Sequence, residues 1–193
     1  VYVCFGGEDL VAFLYVKVEG EREPYPDIVP PFPPRKRLKI GTLKVQMNGF
    51  RLGERFMKIV FDNAVRQRVD EVYVTVYRSH DRLISLLSEF GFVHHGSKGE
   101  GEGAAEQVYV RHMAPEVNAS DPKATYPFVS QAARHFLVPI YPEYHTDLFP
   151  DSILNNEDPL DFVDPQPHRN AVSKVYLSRS YFRALRSGDV IVF

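Results

Sequence analysis

The chain has 193 residues, a formal net charge of −2, 44% hydrophobic and 13% aromatic residues. That length holds one large or two small domains, and that apolar share builds a packed core, which excludes a disordered or low-complexity chain. A single cysteine, Cys4, excludes an internal disulfide and a cysteine metal cluster. The sequence shows neither an 18-residue apolar run nor a secretory leader, so a soluble, cytoplasmic protein with no membrane partner is expected.

In chain order, residues 1–5 and 11–19 read as two strands around the turn Gly6-Gly7-Glu8-Asp9, with Cys4 as a small buried hydrophobe. Residues 23–34 hold Pro24, Pro26, Pro30, Pro31, Pro33 and Pro34, which argues against regular structure and for an extended loop. Arg35-Lys36-Arg37 then either meets the phosphates of a ligand or forms a solvated strand edge that discourages pairing. In 38–45, Leu38, Ile40 and Thr42 alternate with Lys39, Gly41 and Leu43, and Val45 closes the strand. After a glycine-containing turn at 48–53, Leu52, Phe56, Ile59, Val60 and Ala64 mark one face of a helix over 55–69. Glu54–Lys58 and Asp62–Arg66 are i,i+4 pairs on its other face.

Val72, Val74 and Val76, interleaved with Tyr73, Thr75 and Tyr77, predict a buried central strand over 71–77. Leu83, Leu86, Leu87 and Phe90 predict a helix over 81–90, stopped by Gly91 at C′. Gly99 to Gly103 is glycine-rich but acidic, so it repels phosphate and reads as a hairpin loop before a strand at 106–111. No G-x-G-x-x-G follows a strand, which argues against a dehydrogenase-type dinucleotide site.

The order strand, turn, helix, strand, helix, Gly91-Phe92 resembles the GNAT family of N-acetyltransferases. That family's signature is Arg or Gln, two residues, Gly, one residue, then Gly or Ala, ahead of a helix. Gly53 matches the last position and Phe56-Met57 the usual leucine pair, while Asn48 and Arg51 replace the first and fourth positions. The stretch 81–92, ending Ser88-Glu89-Phe90-Gly91-Phe92, is similar to the family's second helix and its closing Gly-Phe. His80 falls where the family often has an asparagine that touches coenzyme A, and Leu87 where many members have a thiolate-protonating tyrosine.

The resemblance implies an α/β (α+β) fold: a mixed, mostly antiparallel central sheet with flanking helices, the acyl-CoA N-acyltransferase fold. It covers 1–113, and the family's first strand and the two helices walling its acceptor site would lie upstream of Val1. It implies acetyl-CoA as co-substrate and an amine as acceptor, whose identity the residues do not name. The main chain near Leu43 and Val45 would meet the pantetheine arm, with the thioester near Val45. The amides of Asn48, Gly49, Phe50, Arg51, Leu52, Gly53 and Glu54 would hold the pyrophosphate, and His80 would touch the cofactor. Tyr73, Tyr77 and His80 are the titratable groups nearest the expected cleft and so the catalytic candidates.

Residues 114–125, with Pro115, Asn118, Ser120, Asp121 and Pro122, read as a linker. Basic and acidic residues number 16 and 15 in 1–113, and 7 and 10 in 114–193. An acidic, proline-bearing loop (Glu143, Asp147, Asp151, Glu157, Asp158, Asp161, Asp164) precedes a basic stretch with Arg169, Lys174, Arg179, Arg183 and Arg186. His135, His145, Asp147 and Asp151 match no established metal-ligand spacing, so no metal is assigned.

A strand at 174–177 and the tail Ser187-Gly188-Asp189-Val190-Ile191-Val192-Phe193 resemble the ASCH group of PUA-like domains, with Tyr144-His145-Thr146-Asp147-Leu148-Phe149-Pro150-Asp151 as a second similar stretch. The resemblance implies a partial PUA-like β-barrel over 126–193. Arg179, Arg183 and Arg186 share one helix face by spacing. They either contact RNA, with Tyr181 and Phe182 stacking bases, or form a basic face that packs on the acidic loop. Two functions compete: acetyl transfer to an amine, and a catalytically weak regulatory protein of the same fold whose second part binds RNA or a modified nucleotide.

Overall fold

The expected first hairpin forms from β1 (Tyr2–Gly6) and β2 (Asp9–Glu19), with Tyr2 opposite Leu14. The coordinates form a computed structural model that describes residues 1–6, 8–46, 52–99, 105–118, 120–137, 184–186 and 188–192. They fall into two compact units, Val1–Ser130 and Gln131–Phe193.

In the first unit β4 (Arg37–Val45) pairs antiparallel with β2 and parallel with β5 (Glu71–Val76). The parallel pair is joined through α1 (Leu52–Gln67), the crossover such a pair requires. α2 (Asp81–Glu89) follows β5, and β6 (Val93–Lys98) and β7 (Glu106–His112) form a hairpin whose β7 inserts beside β5. With β3 (Ile28–Val29) on β6, the seven-stranded order is β1-β2-β4-β5-β7-β6-β3. The protein is therefore α+β, with a mixed and mostly antiparallel sheet and flanking helices, as expected.

Strand alternation gives the sheet two unlike faces. On one, Leu14, Leu38, Ile40, Val72 and Val74 pack against Leu52, Phe56, Met57, Val60 and Phe61 of α1 and Leu87 of α2. Each such side chain contributes about 1.5–3 kcal/mol on burial. Cys4 packs half-buried at the margin of this core. α2 ends in a Schellman motif: Phe92 N–H donates to Leu87 O at 3.0 Å, Gly91 N–H to Ser88 O at 3.0 Å, and Gly91 has φ +75°. α1 ends the same way, but Arg68 takes the left-handed position, with φ +50°.

The other face carries Tyr73, Val108 and Val110 under Tyr25, Ile28 and Phe32 of the proline-rich segment. That segment is not wholly irregular, contrary to expectation. Ile28 is buried and Val29 pairs with Ser97, because Gly96 has no Cβ: one there would stand 2.0 Å from Val29 O. Neither expected role of Arg35-Lys36-Arg37 holds for Arg37. Its side chain is 0% exposed, donates to Glu71 Oε2 at 2.8 Å, and lies 4.2 Å over the Phe32 ring. Arg35 donates to Glu71 Oε1 at 2.7 Å and Lys36 N–H to Asp70 Oδ2 at 2.9 Å. The triplet straps the start of β4 to the start of β5.

Residues 114–130, which include the expected linker, group with the first unit. Arg111 is buried and donates to Phe90 O at 3.0 Å and Tyr126 O at 3.4 Å. α3 (Pro122–Thr125) is capped by the Asp121 carboxylate, which accepts from Ala124 N–H. In the second unit β8 (His135–Leu137) pairs parallel with β9 (Val190–Val192), within the tail expected to be a strand. Asp189 accepts from Arg134 Nε at 3.0 Å and Nη2 at 2.6 Å, a bidentate pair beside Gly188 at φ +88°. The expected strand at 174–177 lies outside the described residues.

Candidate functional site

β4 pairs with β2 along its whole length, out to Val45 opposite Ala12. With β5 it pairs only from Arg37–Glu71 to Ile40–Val74. The two parallel strands separate beyond that point, and β5 continues against β7 alone. The separation starts at a bulge: Tyr15 faces Thr42 and Val16 faces Ile40, so Gly41 is the extra residue. A Cβ at Gly41 would lie 2.6 Å from Tyr15 Cδ1, so the ring stacked on the bulge would have to shift for any other residue. Among the described residues, no strand pairs with the β5-side edge of residues 41–45. The cleft therefore has an unused main-chain edge on one wall and the end of β5 on the other.

The candidates from sequence distribute unevenly around this cleft. Leu43 and Val45 lie on β4 past the separation, their side chains half-buried against the core. Tyr77 and His80 sit together just beyond β5, ring centroids 6.3 Å apart; Tyr77 is 49% exposed, and His80 holds the N-cap position of α2 without a side-chain cap. Leu52 is a core residue. Glu54 turns to Lys123 of α3, Nζ to Oε1 2.8 Å, and Lys123 also pairs with Glu89. Asn48, Gly49, Phe50 and Arg51 lie outside the described residues.

Packing adds a role for Gly53, and the places of Leu87 and Tyr73 differ from expectation. The absent Cβ of Gly53 points at Leu86 Cδ2, 2.9 Å away, so this glycine sets the approach of α1 to α2. Leu87 is 0% exposed inside the core, so a tyrosine at this position has no room and no route to a cleft. Tyr73 is not at the cleft mouth. It is 1% exposed on the face away from the helices and donates to Glu19 Oε2 at 2.7 Å. Burial, then the Glu19 bond and charge, push its hydroxyl far above the ordinary tyrosine range, so it keeps its proton.

Glu19 is the residue that sequence reasoning missed. It is 4% exposed, and its Oε2 also accepts from Tyr25 at 2.9 Å, while Lys17 Nζ stands 3.3 Å from Oε1. Burial works to raise its carboxyl, but the bonds from Tyr73, Tyr25 and Lys17 outweigh it and hold it below the usual range. It is thus a fixed anion and a poor base. Burial and Glu19 together push Tyr25 up to about 12. These residues wall a polar cavity of about 200 Å³ with Glu23, Asp27, Lys39 and Lys98. The available signal was Lys17 and Glu19 alternating with Val16 and Val18 at the end of β2; their partners lie too far along the chain for pattern alone.

In the second unit Arg186 N–H donates to Asp189 Oδ2 at 2.6 Å and its side chain is exposed; Arg179 and Arg183 lie outside the described residues. Among the described residues no helix is long and apolar enough to cross a membrane, and no group of three His, Cys, Asp or Glu could hold a metal.

No family model and no curated protein matches the chain. Among the solved structures similar to it are two acyl-transfer proteins. One is the NatC complex bound to Gag peptide and CoA, at 15% identity and a TM-score of 0.46, over 58% of this chain and 69% of that one. The other is FeeM, an N-acyl amino acid synthase from uncultured soil microbes, at 16% identity and a TM-score of 0.41, over 57% and 70%. Both likenesses are distant, and strand order and pairing define the fold.

Proposed function

We propose that the first unit binds acetyl-CoA, or a related acyl-CoA, in the β4/β5 cleft and transfers the acyl group to an amine. One observation carries this: β4 continues five residues past its last pair with β5, so its main-chain edge is available where two parallel strands diverge. A pantetheine arm is an extended chain with two amides, and it fits such an edge as an added strand would. The start of α1, at Leu52, Gly53 and Glu54, directs its N–H groups and dipole end toward an anion such as a pyrophosphate.

Acetyl-CoA supplies an activated acyl group. The chain supplies orientation along residues 41–45, a dry wall from Leu43 and Val45, and proton handling at the end of β5. An attacking amine must be neutral, and Tyr77 and His80 are the groups set to take its proton, directly or through water. Protonation of the departing sulfur does not pass through position 87, which is sealed in the core. The acceptor is an amine of unassigned structure.

Calorimetry with acetyl-CoA tests the reading. Saturable binding is expected, with about 2.7 kcal/mol of stabilisation at a hundredfold excess over Kd. CoA release in the presence of a panel of amines, reduced in Tyr77→Phe and His80→Ala, is expected to follow. Absence of saturable binding contradicts the proposal; binding without turnover on any amine favours the regulatory reading. For the second unit we propose RNA contact. Arg186 supports it: its side chain is exposed and makes no hydrogen bond among the described residues. Replacing Arg179, Arg183 and Arg186 by Gln is expected to reduce the log–log salt slope of RNA binding by about two.

A further inference from the structure

We infer that Lys44 is a self-acylation site, an amine on which the first unit places the acyl group of its own bound acyl-CoA. The inference rests on the acyl-CoA reading of the β4/β5 cleft and names an acceptor within it. Lys44 lies in the stretch of β4 that continues beyond the last pair with β5. Leu43 and Val45, on either side of it, turn into the helix-side core. Strand alternation therefore sends Lys44 to the opposite face, where it stands across from Phe13 of β2 and is exposed. The edge proposed to carry the pantetheine arm and the root of this side chain are the same short stretch, residues 41–45.

Lys44 also differs from the other lysines. Lys17 pairs with Glu19 and Glu23, Lys98 with Asp27, and Lys123 with Glu54 and Glu89. Lys36 Nζ donates to Gln67 O, and Lys39 Nζ faces the Tyr73 ring, 5.7 Å from its centroid. Lys58 on α1 is engaged as well. Among the described lysines Lys44 alone has no hydrogen bond, ion pair or ring contact. An ion pair favours the charged form of an amine, which cannot attack a carbonyl. A side chain tethered beside the donor attacks in an effectively unimolecular step.

The step balances with the acyl-CoA thioester as its one co-reactant. The Lys44 ammonium gives a proton to solvent, directly or by way of Tyr77 or His80 at the end of β5. The neutral amine then adds to the thioester carbonyl. The C–N amide bond forms, the C–S bond breaks, and coenzyme A leaves as a thiol, taking up the second proton from nitrogen. Nothing is oxidised or reduced, and one positive charge is lost from the exposed face of β4.

The test is peptide mass spectrometry on the whole chain incubated with a series of acetyl-CoA concentrations, beside calorimetry. Lys44 is expected to be acetylated at least about tenfold faster than Lys17 or Lys98. The rate is expected to saturate at the calorimetric Kd and to be independent of protein concentration. In urea the preference for Lys44 is expected to vanish, because chemical acetylation of an unfolded chain has no bound donor to draw on. Lys44→Arg is expected to bind acetyl-CoA as the parent does and to lose the fast site. Circular dichroism checks that this variant is folded; if it is not, the site map and saturation curve of the parent decide. Absence of saturable acetyl-CoA binding would overturn the acyl-CoA reading and this inference with it. Binding with Lys44 modified no faster than Lys17 or Lys98 would overturn this inference alone. So would a rate that rises with acetyl-CoA without saturating, or one that rises with protein concentration.

Discussion

The two faces of the central sheet are built from the same strands by different physics. On the helix side Leu38, Ile40, Val72 and Val74 meet α1 and α2 in a core without charges. On the other side Arg37, Glu71, Glu19 and Tyr73 are as deeply buried, but they are held by ion pairs and hydrogen bonds under the proline-rich segment. The apolar face tolerates changes of shape at moderate cost and has little directional preference. The polar face is all-or-none, because each buried group depends on its partner. The polar face also borders the polar cavity, walled by Glu19, Tyr25 and Tyr73.

The largest expected effect lies on the polar face. Arg37→Met leaves Glu71 buried with only Arg35 and His112, and is expected to cost about 3–5 kcal/mol in urea denaturation. Combining it with Glu71→Leu should recover much of that loss, since a buried pair replaced as a unit is often neutral. Non-recovery would mean that the network is more than this pair. On the apolar face Leu87→Ala should cost about 2–5 kcal/mol, with no dependence on salt or pH. Next comes Tyr73→Phe, which removes one of two hydroxyl donors to Glu19 Oε2 and should cost about 1–3 kcal/mol. If it instead abolishes acyl transfer with the fold intact, Tyr73 belongs to the catalytic machinery after all.

The pH dependence also separates the faces. Glu19 is depressed in the folded state, so its contribution is present above its ordinary value of 4.5 and is lost as the pH falls through the folded value. Tyr25 is raised, so its contribution is full below 10 and is lost between there and about 12. Tyr25→Phe should flatten the alkaline limb of the stability profile measured by denaturation at a series of pH values. The smallest effect has the opposite sign. Arg68→Gly relieves a left-handed non-glycine residue at the end of α1 and should stabilise by about 0.5–1 kcal/mol, read as a rise in Tm.

The same division explains what was legible in the sequence. The helix-facing core follows from periodicity: Phe56 and Val60, or Leu83, Leu86 and Leu87, announce themselves at helical spacing, and Gly91 announces the stop. The strand 71–77 read as central because both of its faces are apolar or aromatic, and it is buried on both. β6 was missed because His94, His95, Gly96 and Ser97 have little strand preference; β7 and β3 make it a strand. The Glu19–Tyr73 bond joins residues 54 apart and the Arg37–Glu71 pair residues 34 apart, and no local pattern encodes such partners. At the cleft, the strand, turn and helix order was legible and the roles of Gly53 and Leu87 were not, because both depend on what α1 meets when it packs on α2.

Hydrogen–deuterium exchange with and without saturating acetyl-CoA tests the central claim most directly. The β5-side edge of residues 41–45 is unpaired by any described strand, so its amides should exchange quickly in the free protein. The expected result is slowing by at least about tenfold in 41–45 and at the start of α1, with β1 unchanged. Saturable binding of acetyl-CoA that leaves 41–45 unprotected would contradict the account and move the acyl-donor site elsewhere.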